Sequence, residues 1–486
     1  MERMRTLCLT GLLWMMTCIL YAQNQLITYT VPGDGVELKD DFTVRVRQSG
    51  GGWKEVVTYP VKVDEVRQTK HHVELASMGY FDFSGQVEVS VTYNKGEVKS
   101  GRVRPLSYGI TPRISGSTMT FTLDRPRNLS IEVNGDIFHN LHLFANPIDK
   151  FRPSDKEIKR ALKKKKGSNL IYFGPGVHNL PNDTLFVPSG TTVYIDGGAR
   201  VYGNIFTEGA HDVNIFGRGE VHPDGRGAGV WVRRSKNVRI DGIVVSQLPI
   251  GQCDSVELTN VKSISYYGWG DGMDVFSSSN VILDGVFCRN SDDCTAVYAS
   301  TQGFKGGSNN VLVKNATLWA DVAHPINIGG HGDPNGMDTV QNVTFRNIDI
   351  LDQAENQIDY QGCLAINPGD NTLVRNITFE NIRIEDFRNG QLVNFRISFN
   401  PKYCVSTGRG IHNVLVKDVT YNGSGENLSI IAGYDENHKI SGIRFVNLVV
   451  NGRKITDDMP GKPKWYKTGD MAGIFIGEHV ENISFE

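Results

Sequence analysis

The chain has 486 residues, a formal net charge of -2 and 39% hydrophobic residues. That length exceeds one compact core and asks for two domains, or one domain plus a repeat array. The near-neutral charge excludes electrostatic steering toward nucleic acid or anionic membranes, and the apolar content excludes a disordered chain.

Residues 1–22 read as a secretory signal. Arg3 and Arg5 form a basic start, Leu7 to Leu20 is apolar, and Tyr21-Ala22 before Gln23 offers a small residue for cleavage. Thr17-Cys18 is an alternative lipoprotein attachment point, with Thr a poor residue before such a Cys. No later stretch reaches the roughly 18 apolar residues of a membrane-spanning helix. The expectation is an exported chain, periplasmic or extracellular, without membrane insertion. Five cysteines follow the signal (Cys253, Cys288, Cys294, Cys363 and Cys404), without metal-ligand spacing. They read as buried free thiols, with a Cys288–Cys294 disulfide as the alternative.

Residues 23–150 predict an antiparallel β-sandwich. Phe42 to Val46, Val87 to Val91 and Met119 to Leu123 alternate, and turn residues such as Gly50-Gly51-Gly52 and Asn94-Lys95-Gly96 separate such runs. Ser130 to Val133 and Leu141 to Leu143 continue the pattern. Residues 151–168 predict a short helical linker or cap. Ser154 or Asp155 caps it, Glu157 lies in its first turn and Gly167 ends it. The lysine run 163–166 suits the negative end of that helix.

Residues 169–486 repeat. Asn followed by a β-branched residue recurs at Asn237, Asn260, Asn280, Asn310, Asn342, Asn376, Asn413 and Asn482, each opening a short alternating strand such as Val281-Ile282-Leu283. Irregular intervals with a constant strand seed predict a right-handed parallel β-helix of about ten coils. Asn suits a tight turn because it tolerates left-handed φ and its amide can bridge backbone groups of adjoining coils. A leucine-rich repeat is the other solenoid, but its regular leucine spacing is absent.

Asp271 and Asp292 are 21 residues apart, one short coil, and Asp293 follows directly. Stacked coils repeat at about 4.8 Å, so the three carboxylates should share one face. Like charges so close raise at least one pKa, giving a general acid beside a base. Surface decoration or weak Ca²⁺ ligation are the plainer readings of the same cluster. His324 on a following coil is a candidate orienting group for a carboxylate or a sugar hydroxyl. Trp269, Trp319 and Tyr267 are candidate sugar platforms, each equally suited to the core. His331 in the loop Gly330-His331-Gly332, together with Asp359 and Gln361, completes the candidate substrate contacts. No cofactor or metal is expected, and the oligomeric state stays open.

Gly270-Asp271-Gly272-Met273-Asp274, Asp292-Asp293-Cys294 and His324-x-x-x-Ile328-Gly329 resemble the motifs of glycoside hydrolase family 28, the polygalacturonases, over roughly residues 170–450. The leading domain, ending in Val133-Asn134-Gly135-Asp136 and Leu143 to Pro147, is more similar to the related dextranase and isopullulanase family 49. The resemblance implies a parallel β-helix and an inverting glycosidase. It implies that Asp292 donates the proton, that Asp271 and Asp293 activate water, that His324 supports them, and that Asp274 is structural.

Two departures bear on substrate. Trp269-Gly270 stands where the polygalacturonase motif has Asn-Thr. The cationic Arg-Ile-Lys expected on the coil after the histidine is missing, since no Arg or Lys lies between Arg346 and Arg375. Arg396-Ile397-Ser398 is a partial match placed too far along. The expectation is a secreted hydrolase of a polysaccharide or oligosaccharide of neutral sugars. Its alternatives are a polygalacturonase, a lyase or epimerase on the same fold, and a non-catalytic carbohydrate-binding β-helix.

Overall fold

A computed structural model describes residues 24–31, 35–163, 167–223 and 227–486. The signal read over residues 1–22 and most of the lysine run, 164–166, lie outside the described residues. Among the described residues no helix is long and apolar enough to cross a membrane.

The leading domain is two packed sheets. One orders Leu26–Thr28, Lys70–Phe83, Asp136–Pro147, Arg127–Val133 and Gly101–Arg104, with Thr58–Arg67 also paired to Lys70–Phe83; the other orders Lys54–Val56, Phe42–Arg47, Val87–Tyr93, Thr118–Leu123 and Arg113–Ser115. Alternation sets their faces: Phe42, Val44 and Val46 point into the shared core with Val87, Val89 and Val91. One pairing departs from the antiparallel expectation. Asp136–Pro147 runs parallel to Lys70–Phe83, with Leu141 opposite Ser77. That strand is buried on both faces from Asn140 to Ala145 and on to Asn146, the environment that parallel pairing favours. The helix Asp155–Leu162 opens with a capping box between Ser154 and Glu157 and lies against the first helix-domain strand, Leu170–Phe173.

From there the chain winds as a right-handed parallel β-helix. Its longest ladder stacks twelve strands from Leu170–Phe173 to Val480–Phe485, somewhat more coils than the length alone suggested because some are very short. Inward residues stack by type: Val281, Val311, Val343, Ile377, Val414, Ile443 and Ile483 form one column. A second column runs Leu283, Val313, Phe345, Phe379, Val416, Phe445 and Phe485.

The recurrent Asn residues all have positive φ, from 54° to 58°. They bridge the coils differently from the expectation. Asn310 donates to the Asn280 side chain at 2.7 Å and Asn376 to that of Asn342 at 3.2 Å, so the amides form a side-chain ladder rather than backbone bridges. Asn260 belongs to a second corner, in line with Asn315, Asn347 and Asn381, the last three of which form their own ladder. The long interval between Asn413 and Asn482 hides a coil. Its corner is Gly442 (φ +71°), which enters the left-handed region without needing an amide.

The sandwich is seated along the β-helix. Tyr59, Val63, Met78, Tyr80 and Phe144 pack against Val244, Ile264 and Phe287. Buried ion pairs surround this seam: Arg104 holds Glu132 at 2.9 Å and Glu385 at 2.7 Å, and Arg218 holds Asp82 at 3.1 Å. All five described cysteines are free thiols, Cys288 and Cys294 included.

Candidate active site

Two short turns in successive coils build the site. The amide of Gly272 donates to the carbonyl of Asp293 (2.8 Å), and that of Cys294 to the carbonyl of His324 (2.9 Å), so three coils are in register here. Glycine is required beside Asp271: a Cβ on Gly272 would lie 2.2 Å from the Cys294 carbonyl oxygen. The coils can therefore approach closely enough to bring the carboxylates together. One oxygen from each of Asp271, Asp292 and Asp293 lies within 4.8 Å of the others. All three line a pocket of about 340 Å³ with His324, Tyr298, Glu355 and Tyr360, at the small end of the ~300–1,000 Å³ usual for ligand sites.

The environment pushes these carboxyls apart in acidity. Asp292 is raised well above the usual carboxylate range by burial, then by the negative charge of Asp271 and Asp293. Asp271 is raised by burial, then by Asp274 and Asp293. Asp274 is raised by burial and by Asp293 and Asp292; it lies behind the pocket wall, accepting the Ala296 amide at 3.2 Å. Burial acts in the same direction on Asp293, yet its pKa is lowered because donors surround it. His324 Nδ1 lies 2.7 Å from Oδ1, while Tyr298 and Asn327 donate to Oδ2 at 2.7 and 2.8 Å. Thus of the pair matched to water activation, Asp293 is pushed toward the ionised form and Asp271 toward the protonated one.

The structure separates the other candidates. Trp269 is 72% exposed and lines the pocket, as do Asp359 and His331. Trp319 is 0% exposed. It lies between the guanidinium groups of Arg104 and Arg289, at 4.9 and 4.2 Å, and cannot stack on a sugar. Its strand, Thr317–Ala320, is buried throughout. Gln361 is also turned away, its amide donating to the Glu355 carbonyl at 2.7 Å and its oxygen accepting from Asn427 at 3.0 Å. Arg396 lies two coils beyond the histidine, past the coil where the cations were expected, because Ile328 stacks on Ile366 and Ile366 on Phe395. It nevertheless follows one coil above Asn367, a pocket residue, and pairs with Asp359. Lys402 also lines the pocket, so the cleft is less cation-poor than the sequence suggested.

Several lining groups escaped the sequence reading. Asn327 stands inside the histidine motif itself, and that position was the available signal. Tyr298 ends the strand Ala296–Tyr298 and Tyr403 comes from a turn, neither within a motif, and His71 comes from the sandwich. A second group suited by spacing to a metal ion, His331, Asp370 and Cys404, lies at the pocket edge. Its donors are engaged: Asp370 accepts the Val405 amide at 2.8 Å, and the Cys404 thiol, pushed up to about 12 by burial, donates to the Gly330 carbonyl.

This geometry has a family counterpart. Residues 230–459 match the profile of glycosyl hydrolases family 28. The matched segment contains Asp271, Asp274, Asp292 and Asp293. Relatives include an exopolygalacturonase of Cochliobolus carbonum, 24% identical over 37% of this chain and 44% of its own length. Another is the probable exopolygalacturonase X of Aspergillus fumigatus, 26% identical over 56% of this chain and 58% of its own. The chain thus spans about half the length of the curated relatives it matches. Among solved structures, Dex49A from Penicillium minioluteum superposes with a TM-score of 0.62 at 14% identity, over 94% of this chain and 96% of its own. The family 28 exopolygalacturonase of Yersinia enterocolitica superposes at 0.50 and 12% identity, over 87% and 99%. Both structural likenesses show the fold.

Proposed function

We propose that the pocket hydrolyses a glycosidic bond in a polysaccharide or oligosaccharide. The observation that carries this is the opposed acidity of adjacent residues: Asp292 raised, Asp293 lowered. Asp292 gives its proton to the glycosidic oxygen as the bond to the anomeric carbon breaks. Asp293 accepts a proton from water as the water oxygen bonds that carbon, and Asp271 orients the water. His324, Tyr298 and Asn327 keep Asp293 charged until that step. We assign inversion from the family resemblance. The carboxylate oxygens lie closer than the roughly 6.5–9.5 Å usual between acid and base in inverting enzymes, so separation does not support it.

The sugar at the reacting position is neutral in this reading. Glu355 and Asp359 face it with the catalytic trio, and Arg396 is already paired to Asp359. A second reading, galacturonate as substrate, is favoured by Lys402 in the lining and by the names of the relatives. Export is part of the same proposal and rests on the apolar segment after Arg3 and Arg5.

The test is product release from dextran, other neutral glycans and polygalacturonate, with Asp292→Asn as control and the anomer of fresh product read by NMR. Inverted product from a neutral glycan, lost in the variant, is expected. Cleavage of polygalacturonate alone would replace the neutral-sugar reading with the second one. No release from any glycan would sink both.

A further inference from the structure

The sandwich touches the pocket at one place. Its strands Thr58–Arg67 and Lys70–Phe83 form a hairpin that carries Asp64 and His71. His71 lines the pocket, and its Nδ1 lies 2.6 Å from Asp64 Oδ2. Asp64 is fully buried, and the same oxygen accepts the amide of Gly268 at 3.1 Å. One carboxylate of the sandwich therefore fixes both the histidine ring and the loop leading into catalytic Asp271.

That loop is unusual. Tyr267, Gly268 and Trp269 all have positive φ, at 68°, 66° and 52°. Two aromatic residues flanking one glycine rarely adopt this conformation, and such backbone persists only where surroundings impose it. Its result is an indole standing in solvent at the pocket mouth, with the Tyr403 ring 6.3 Å away from the opposite wall. A large exposed apolar face beside an oriented polar group is the composition of a sugar subsite, because a pyranose offers both a C–H face and hydroxyls.

We propose that the sandwich supplies a sugar-binding subsite to the pocket, in which His71 hydrogen-bonds a hydroxyl of a pyranose whose face stacks on Trp269. The reading rests on the pocket being a carbohydrate site. An ionised Asp64 makes Nδ1 the donor and leaves Nε2 to meet the ligand. Asp64 is a positioning residue, and the sandwich has a role beyond bracing the helix.

Binding is measured apart from cleavage. Asp292→Asn protein is titrated with trigalacturonate and with isomaltotriose, following tryptophan fluorescence. Saturable quenching is expected with at least one sugar. It should be lost in Trp269→Phe, weakened at least tenfold in His71→Ala and partly restored in His71→Gln, which keeps a side-chain hydrogen-bonding group. Thermal melts of each variant check folding. No saturable quenching with either sugar, or quenching indifferent to His71→Ala, overturns the subsite. Hydrolysis of the same sugars by wild type is scored separately. Binding without cleavage sinks the hydrolase reading and keeps the subsite. Cleavage with an unchanged KM in His71→Ala keeps the hydrolase and sinks the subsite.

Discussion

Two clusters of buried carboxylates sit on neighbouring faces of the same coils and are treated in opposite ways. At the seam with the sandwich four acids are each held by a guanidinium. Asp321 is held by Arg289 at 2.8 Å and Arg388 at 2.9 Å, Asp352 by Arg388, and Glu132 and Glu385 by Arg104. At the pocket Asp271, Asp274, Asp292 and Asp293 share one histidine, one tyrosine and one asparagine. Paired acids fix the geometry of a seam. Acids without a cationic partner are pushed toward keeping a proton that a reaction can use, at a cost in stability.

Each variant below tests that contrast. The largest effect is expected from Asp292→Asn. Removing the proton donor should lower kcat by about 10²–10⁴-fold with little change in melting temperature. At the seam the balance reverses. Arg289→Met leaves Asp321 and the histidine beside it short of a partner, and should cost about 3–5 kcal/mol in chemical unfolding. The double variant Arg289→Met, Asp321→Leu should recover much of that loss; if it does not, the pair is worth more than its desolvation.

A pH comparison sharpens the same point. Asp274 has a raised folded pKa, so its stabilising share is present below the unfolded value of about 3.9 and is lost as pH rises through the folded value. Asp274→Asn should therefore melt higher than wild type at pH 8, with the gap closing toward pH 4. The opposite sign applies to Asp293, whose lowered pKa stabilises above the unfolded value and fails as pH falls. His324→Gln removes the largest lowering influence on it, so the acidic limb of the kcat/KM profile should move to higher pH. A limb that stays put would remove Asp293 as the base. The smallest effect is expected far from both clusters. Asn310→Ala loses an amide bond and forces alanine to positive φ, together about 2 kcal/mol. Asn310→Gly should cost about half that, since glycine keeps the conformation.

The sequence carried the β-helix and the meeting of its three carboxylates for one reason: the coil is a ruler. Asp271, Asp292 and His324 are spaced by coils, so stacking could be read by counting. Counting also put Arg396 past the coil after the histidine, but it could not show that this side chain pairs with Asp359. Trp319 misled because exposure on a strand depends on parity and on what covers the outer face. Here the sandwich covers it, and nothing in Trp319's own neighbourhood announces that. His71 was hidden for the same reason, since its contact with the pocket joins segments about two hundred residues apart. The side-chain ladder of asparagines was half legible: the left-handed corner followed from residue type, while the partner of each amide did not.

The reach of Arg104 sets a timetable. Its partner Glu385 is 281 residues downstream. At roughly 5–20 residues per second of synthesis, their codons are read about 14–56 s apart. Until then Arg104 lacks that partner, although Phe144 on the same wall can already rest against Val244, Ile264 and Phe287. The two units are also joined by contacts of very long range, the kind that form late. A chain shortened before Glu385 should therefore leave Arg104 without that partner, so this domain depends for its finished surface on residues made long after its own.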